Sequence, residues 1–144
     1  MINASMAFEI AKETRMSVYS DASEDRVLPA IVYGLYLLGL VTILPIFIGF
    51  VVALANTGGA GPRMRTHFIF QSRSVWTALG WWVIGLLLII LGIPLSLLLV
   101  GVPMIVVGAL IFAVGHIWFA LRCILGLLYL LKDDAYPRPR SWLF

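Results

Sequence analysis

Charge is what this 144-residue chain has least of, and its absence is concentrated. From Ser74 to Leu121, 48 residues pass without an Asp, Glu, Lys or Arg, and from Val27 to Pro62 another 36. A chain this short has no interior large enough to bury so much continuous apolar sequence, so a soluble domain is excluded. Uncharged apolar runs of about 18 residues or more read as membrane-spanning helices. Cysteine is nearly absent too. The single Cys123 excludes an internal disulfide, a CxxC pair and a Cys/His metal box. Acidic residues are missing from both apolar runs, so neither paired carboxylates nor a base beside a nucleophile can act inside the membrane, which argues against an enzyme. Gly58-Gly59-Ala60-Gly61 has no following GK[ST] and reads as a flexible loop rather than a phosphate cradle. No cofactor and no metal is expected.

What is present is apolar: 62% of residues are hydrophobic and the mean hydropathy is +1.03. Ten Lys and Arg against seven Asp and Glu give a net charge of +3. The basic residues lie just outside the apolar runs, as the positive-inside rule places them, and the charge therefore points to a membrane and not to nucleic acid. The first apolar run begins at Val27 behind five acidic residues, so it reads as a retained segment, not a cleaved signal.

The chain divides into a polar tail (1–26), a membrane domain (27–131) and a C-terminal tail (132–144). In the first tail, Phe8, Ala11, Arg15 and Val18 fall at helical spacing on a weak apolar face, and Asp21 and Glu24 have the spacing of a capping box that would start the next helix. Within the membrane domain we expect a segment 27–56 broken near Pro45, a basic loop and helix entry at 57–73, a helix at 74–92, a turn at 93–103 marked by Gly92-Ile93-Pro94 and Gly101-Val102-Pro103, and a helix at 104–131. The fold class is all-α, a polytopic membrane protein with either four helical segments or three spans. If 27–56 is a hairpin, nine basic residues share one side and the far side is uncharged. Charge favours that hairpin; length opposes it, because each arm is too short to span about 30 Å of hydrocarbon. The 57–73 loop and the C-terminus are expected in the cytoplasm, and the N-terminus with them.

Few residues carry chemistry. Arg122 lies inside an apolar helix, where a charge turns to the bundle interior or snorkels to headgroups. Gly101, Gly108 and Gly115 precede it at intervals of seven and mark a close-packed face. Matching the depth of Arg122 from its helix end against a second helix that enters near Ser72 places it beside Trp81 or Trp82, for a cation–π contact. His116 is a candidate proton relay or a neutral hydrogen-bonded histidine. His67, Gln71 and Ser74 form a polar stripe read as interfacial, with Arg63, Arg65 and Arg73 beside it as candidate lipid contacts. Trp76 suits an interfacial belt.

Three motifs carry a resemblance: Tyr33-Gly34-Leu35-Tyr36-Leu37-Leu38-Gly39; His67-Phe68-x2-Gln71-x-Arg73-x2-Trp76; and Trp118-x3-Arg122-x3-Gly126-Leu127. The ending Ala135-Tyr136-Pro137 extends it. Over about residues 30–137 the chain resembles small bacterial membrane proteins of unknown function, distantly grouped with the chloroplast inner-envelope protein-import component. The resemblance implies a four-helix membrane domain and no reaction; the import role belongs to the plastid branch. Pro45 and the loop Thr57–Pro62 depart from the pattern. Three functional classes follow: a non-enzymatic accessory or assembly subunit acting by helix–helix contact with a membrane partner or a second copy; a small oligomeric transporter or channel using Arg122 or His116; and an anionic-lipid-binding regulator.

Overall fold

The computed structural model describes residues 3–142, with the side chains of residues 18–23 outside the description. It is all-α: α1 (Ala4–Ser23), α2 (Val27–Leu38), α3 (Leu44–Asn56), α4 (Pro62–Leu95) and α5 (Gly101–Leu131), with a 3-10 turn at Ser96–Leu98. α4 and α5 are long and apolar enough to cross a membrane; α2 and α3 are not.

Residues 27–56 form a helical hairpin. Its break lies at 39–43, and Pro45 sits in the first turn of α3 instead of in the break. The physical reason is that a first-turn N–H has no helical partner, so proline costs nothing there. Gly39 closes the turn because Ile46 fills the space a side chain would need, and Gly49 lets Tyr36 cross at contact distance. At about 1.5 Å per residue the arms reach only about 18–20 Å. The tip therefore stops partway along α4, near Leu79, Trp82 and Leu86.

Three expected boundaries need correction. Residues 62–73 are helical, so α4 begins at Pro62, not near Ser74, and only 57–61 is loop. Proline at the first helical position starts that helix, and arginines do not interrupt one. Gly92-Ile93-Pro94 does not end α4: Pro94 lies within its last turn, and the reversal falls at 96–100, where Leu99 takes a left-handed φ of 62°. Pro103 lies in the first turn of α5. Nor does a capping box start α2. Residues 21–23 end α1, and Asp25 Oδ1 instead accepts the Val27 N–H at 2.9 Å. The Asp21 side chain lies outside the described residues. The described side chains of α1 are all exposed.

α4 and α5 make the most extensive pairing in the molecule, antiparallel and seamed by small residues. Added Cβ atoms show how close the backbones run. At Gly108 one would lie 2.7 Å from the Gly85 carbonyl, and at Gly85 one would lie 2.8 Å from the Gly108 carbonyl. Gly92 and Gly101 meet in the same reciprocal way, and Gly115 faces the Trp81 Cβ. Gln71, Ala78, Gly85 and Gly92 on α4 thus mirror Gly101, Gly108, Gly115 and Arg122 on α5, every one buried, at intervals of seven on both helices. A seven-residue repeat keeps one seam in register through left-handed coiling.

The ends of the molecule differ. One end gathers the start of α2, the end of α3, the start of α4, the end of α5 and the C-terminal tail, with every charged residue that follows α1. The other, around 96–100, has none.

Candidate functional site

The seam sets what Arg122 meets. With Gly92 opposite Gly101 and Gly85 opposite Gly108, Arg122 falls opposite Gln71–Ser74. It is 0% exposed. Its Nε donates to Ser74 Oγ at 2.9 Å and Nη1 to the Ser141 carbonyl at 3.3 Å. The guanidinium lies 4.1 Å over the Phe70 ring and 4.8 Å over that of Trp118, one helical turn before it. The expected partners, Trp81 and Trp82, are not beside it. The depth match had α4 entering near Ser72, whereas α4 begins at Pro62, which moves the facing register toward the basic end. Trp81 is 42% exposed, and Trp82 packs on His116, Phe112 and Phe119. His116 belongs to that separate aromatic stack, with ring centroids 5.1 Å from Trp82 and 5.3 Å from Phe112.

The stripe expected at an interface is interior. His67, Gln71 and Ser74 are all buried. The spacing was right for one helix face, but the hairpin and tail cover that face. His67 Nδ1 lies 3.2 Å from the Tyr33 hydroxyl and Nε2 lies 2.9 Å from the Asp134 carbonyl. A neutral imidazole protonated on Nε2 satisfies both, donating to the carbonyl and accepting from tyrosine. Gln71 Nε2 donates to the Pro29 carbonyl at 2.8 Å, tying α4 to α2. Tyr33 in turn lies against Gly126 of α5, where any side chain would collide with its ring.

The C-terminal tail closes the cluster. α5 ends with the Asp134 N–H on the Tyr129 carbonyl and the Asp133 N–H on that of Leu130, the paired bonds of a Schellman motif. Asp133 holds the left-handed position at φ 61°, where glycine is usual. Its carboxylate repays that strain by taking Arg63 at 2.8 Å and Arg26 at 3.7 Å. The turn carries Tyr136 onto Phe70, ring centroids 3.7 Å apart, with its N–H donating to Thr66 Oγ1 at 2.9 Å. Burial pushes the Tyr136 phenol above its ordinary pKa, outweighing the opposing pull of Arg122, so it stays neutral.

Arg63 is structural rather than a lipid contact. Its Nε donates to Glu24 at 3.1 Å while Nη1 holds Asp133 and the Asp133 carbonyl. Glu24 also accepts the Arg63 backbone N–H at 3.2 Å, capping α4 from a distant part of the chain where the helix dipole favours an anion. Gly61 is needed there because a Cβ would strike that carboxylate. Arg65 is exposed, and Arg73 is half-buried with its guanidinium 4.6 Å from the Trp142 ring.

Chemically, the cluster joins α2, α4, α5 and the tail through one histidine, one arginine and neutral amides and hydroxyls. Among the described residues no group of three His, Cys, Asp or Glu could hold a metal ion. The sequence reading missed Phe70, Trp118, Glu24 and Asp133 as partners. Tyr33 and Tyr136 lay in the motifs quoted above; the run Gln71–Ala78–Gly85–Gly92, which mirrors the α5 glycines, was not read as a stripe. Compared with protein-family models, with curated proteins and with solved structures, the chain matches none.

Proposed function

We propose that the chain is a non-enzymatic, multi-pass protein of a bacterial cytoplasmic membrane, an accessory or assembly subunit that acts through its outer helical faces. The observation that carries this reading is the direction of its polar groups: Arg122, His67, Gln71 and Ser74 all turn inward and bond within the chain. Polar groups of a transport path face water and substrate; these are occupied in holding helices together. The outer faces of α4 and α5 are left apolar. The α5 glycines are consumed by α4, so a partner would meet other surfaces. Gly80 is one: it is exposed, with open space around it, beside Trp76, Val83 and Ile84. Ala109 and Ala113 are their counterpart on α5. The motifs that carry the resemblance described above also converge on the internal cluster, in keeping with a shared scaffold and no shared reaction.

Photo-crosslinking residues placed at Gly80 and at Ala109, activated in intact membranes, test this. At least one position should give a discrete adduct with a second protein or a second copy of the chain. Lipid adducts alone at both would refute the accessory reading.

The hairpin puts the basic ends together, and the positive-inside rule then places them in the cytoplasm with the 96–100 turn outside. An impermeant thiol reagent applied to intact cells should label Ser96→Cys and leave Arg65→Cys unlabelled. Native Cys123 is buried against the core and should stay unlabelled even in opened membranes until denaturant is added. Rapid labelling of Cys123 would reveal a water path and favour a transporter; the reverse pattern at Arg65 and Ser96 would invert the topology.

A further inference from the structure

We propose that the slot between α3 and α4 binds one anionic phospholipid, its phosphate held by Arg73 and Arg140 and one acyl chain running along Trp76 toward Trp82. The inference rests on the membrane placement above but not on the accessory role.

Three cavities line up along this face. The first, of 460 Å³ at the basic end, is walled by Arg73, Arg140, Trp142, Thr57 and Trp76. The second, of 210 Å³, shares Trp76 with it and is lined only by apolar side chains, among them Phe47, Phe50 and Leu79. The third, of 430 Å³ at the hairpin tip, shares Ile46, Leu79 and Trp82 with the second. From Arg73 to Trp82 is nine residues, about 13 Å along the helix. That is close to half of a hydrocarbon core about 30 Å thick. A cationic mouth above an apolar slot one leaflet deep has the shape of a phospholipid, whereas a free phosphate ion would use only the mouth.

The electrostatics agree. Two guanidinium groups line the mouth and, among the described residues, no carboxylate does. Arg63, by contrast, is filled by Glu24 and Asp133. Arg73 is positioned by Trp142, and its buried Nε has no hydrogen-bond acceptor among the described residues. A phosphate oxygen would supply one in a charge-assisted bond. The hydroxyls at the mouth have already given their protons to helix carbonyls: Ser72 to Phe68, Thr77 to Arg73 and Thr57 to Ala53. They retain lone pairs only, so they accept from a headgroup that donates. A glycerol headgroup offers both the anion and the donors. Phe50 packs edge-on to Trp76 at 5.7 Å, and both rings line the slot.

The test uses the full chain in a neutral detergent, with binding read from lipid-dependent melting temperature and from lipid retained in native mass spectrometry. Dioleoyl phosphatidylglycerol should bind and raise the melting temperature. Dioleoyl phosphatidylcholine should bind at least tenfold more weakly, and glycerol phosphate should have no effect. Arg73→Gln with Arg140→Gln should weaken phosphatidylglycerol at least tenfold; Arg65→Gln, equally basic but outside the slot, should not. Arg140→Gln alone, in the turn at 138–141 of the tail, supplies the test if the double variant melts early without lipid, and should weaken binding measurably. Equal binding of phosphatidylcholine, an equal shift with glycerol phosphate, or unchanged affinity in the arginine variants would overturn the assignment. Release of the protein from membranes by alkaline carbonate would instead remove the membrane placement itself.

Discussion

Gly108→Leu should split the α4–α5 pair. A Cβ at this position would sit 2.7 Å from the Gly85 carbonyl oxygen and 2.9 Å from the Leu88 Cβ, and the remaining leucine atoms would have to enter the same seam. Neither neighbour is the end of a flexible side chain, so the helices themselves must move apart. Overpacking a well-filled core typically costs about 1–3 kcal/mol. A backbone collision on a seam that continues to Gly101 and Gly115 should lie at or above the top of that range. Gly115→Leu meets only one close atom, the Trp81 Cβ at 2.9 Å, and no backbone carbonyl, and should cost less. Val107→Leu adds a methylene on an exposed face and should stay within about 0.5 kcal/mol. Melting in detergent ranks the three. Equal melting temperatures would mean that the helices pair through another face.

The same seam shows what the sequence could and could not reveal. The interval of seven from Gly101 through Arg122 identified the α5 face from residue type alone, because glycine at a helix interior is costly unless something approaches closely. It did not identify the face that receives it. Ala78 and Gln71 carry side chains, and only in company with Gly85 and Gly92 do they read as a matching stripe. The break in 27–56 was legible from Pro45, but proline marks where a helix can start as well as where one fails, and the turn began six residues earlier at Gly39. The helical start at Pro62 was obscured by arginines that resemble a loop in composition. That one boundary displaced the expected neighbours of Arg122 by about two turns. The tail was the least legible element. Its docking depends on Asp133 at a left-handed backbone position, where composition predicts glycine, and on a remote arginine that rewards the exception. His67 and Gln71 were visible as a stripe, yet burial is a property of what covers a face, and the cover comes from residues 29, 33 and 134.

Arg122→Leu should release the C-terminal tail while leaving the α4–α5 pair assembled. Arg122 joins three elements: Ser74 on α4, the Ser141 carbonyl in the tail, and the rings of Phe70 and Trp118, 4.1 and 4.8 Å from its guanidinium. Leucine fills part of the volume but makes none of the hydrogen bonds. Desolvated cation–π contacts are worth about 2 kcal/mol. Ser74 loses little, because its own proton already goes to the Phe70 carbonyl at 2.7 Å. The loss therefore falls on the tail, whose remaining anchors are Tyr136 on Phe70 and Thr66, the Asp134 carbonyl on His67, the Asp133 ion pairs and Trp142 against Arg73. We expect a melting loss of about 2–4 kcal/mol, in the range for a buried side chain with several partners, and faster protease cleavage within residues 137–142. Arg122→Lys should restore the bond to Ser74 but only part of the stability, since an ammonium cannot lie flat against two rings. Full rescue by lysine would show that charge alone matters and that the stack contributes nothing. Intact protease resistance in Arg122→Leu would show that Tyr136 and the Asp133 ion pairs hold the tail without it.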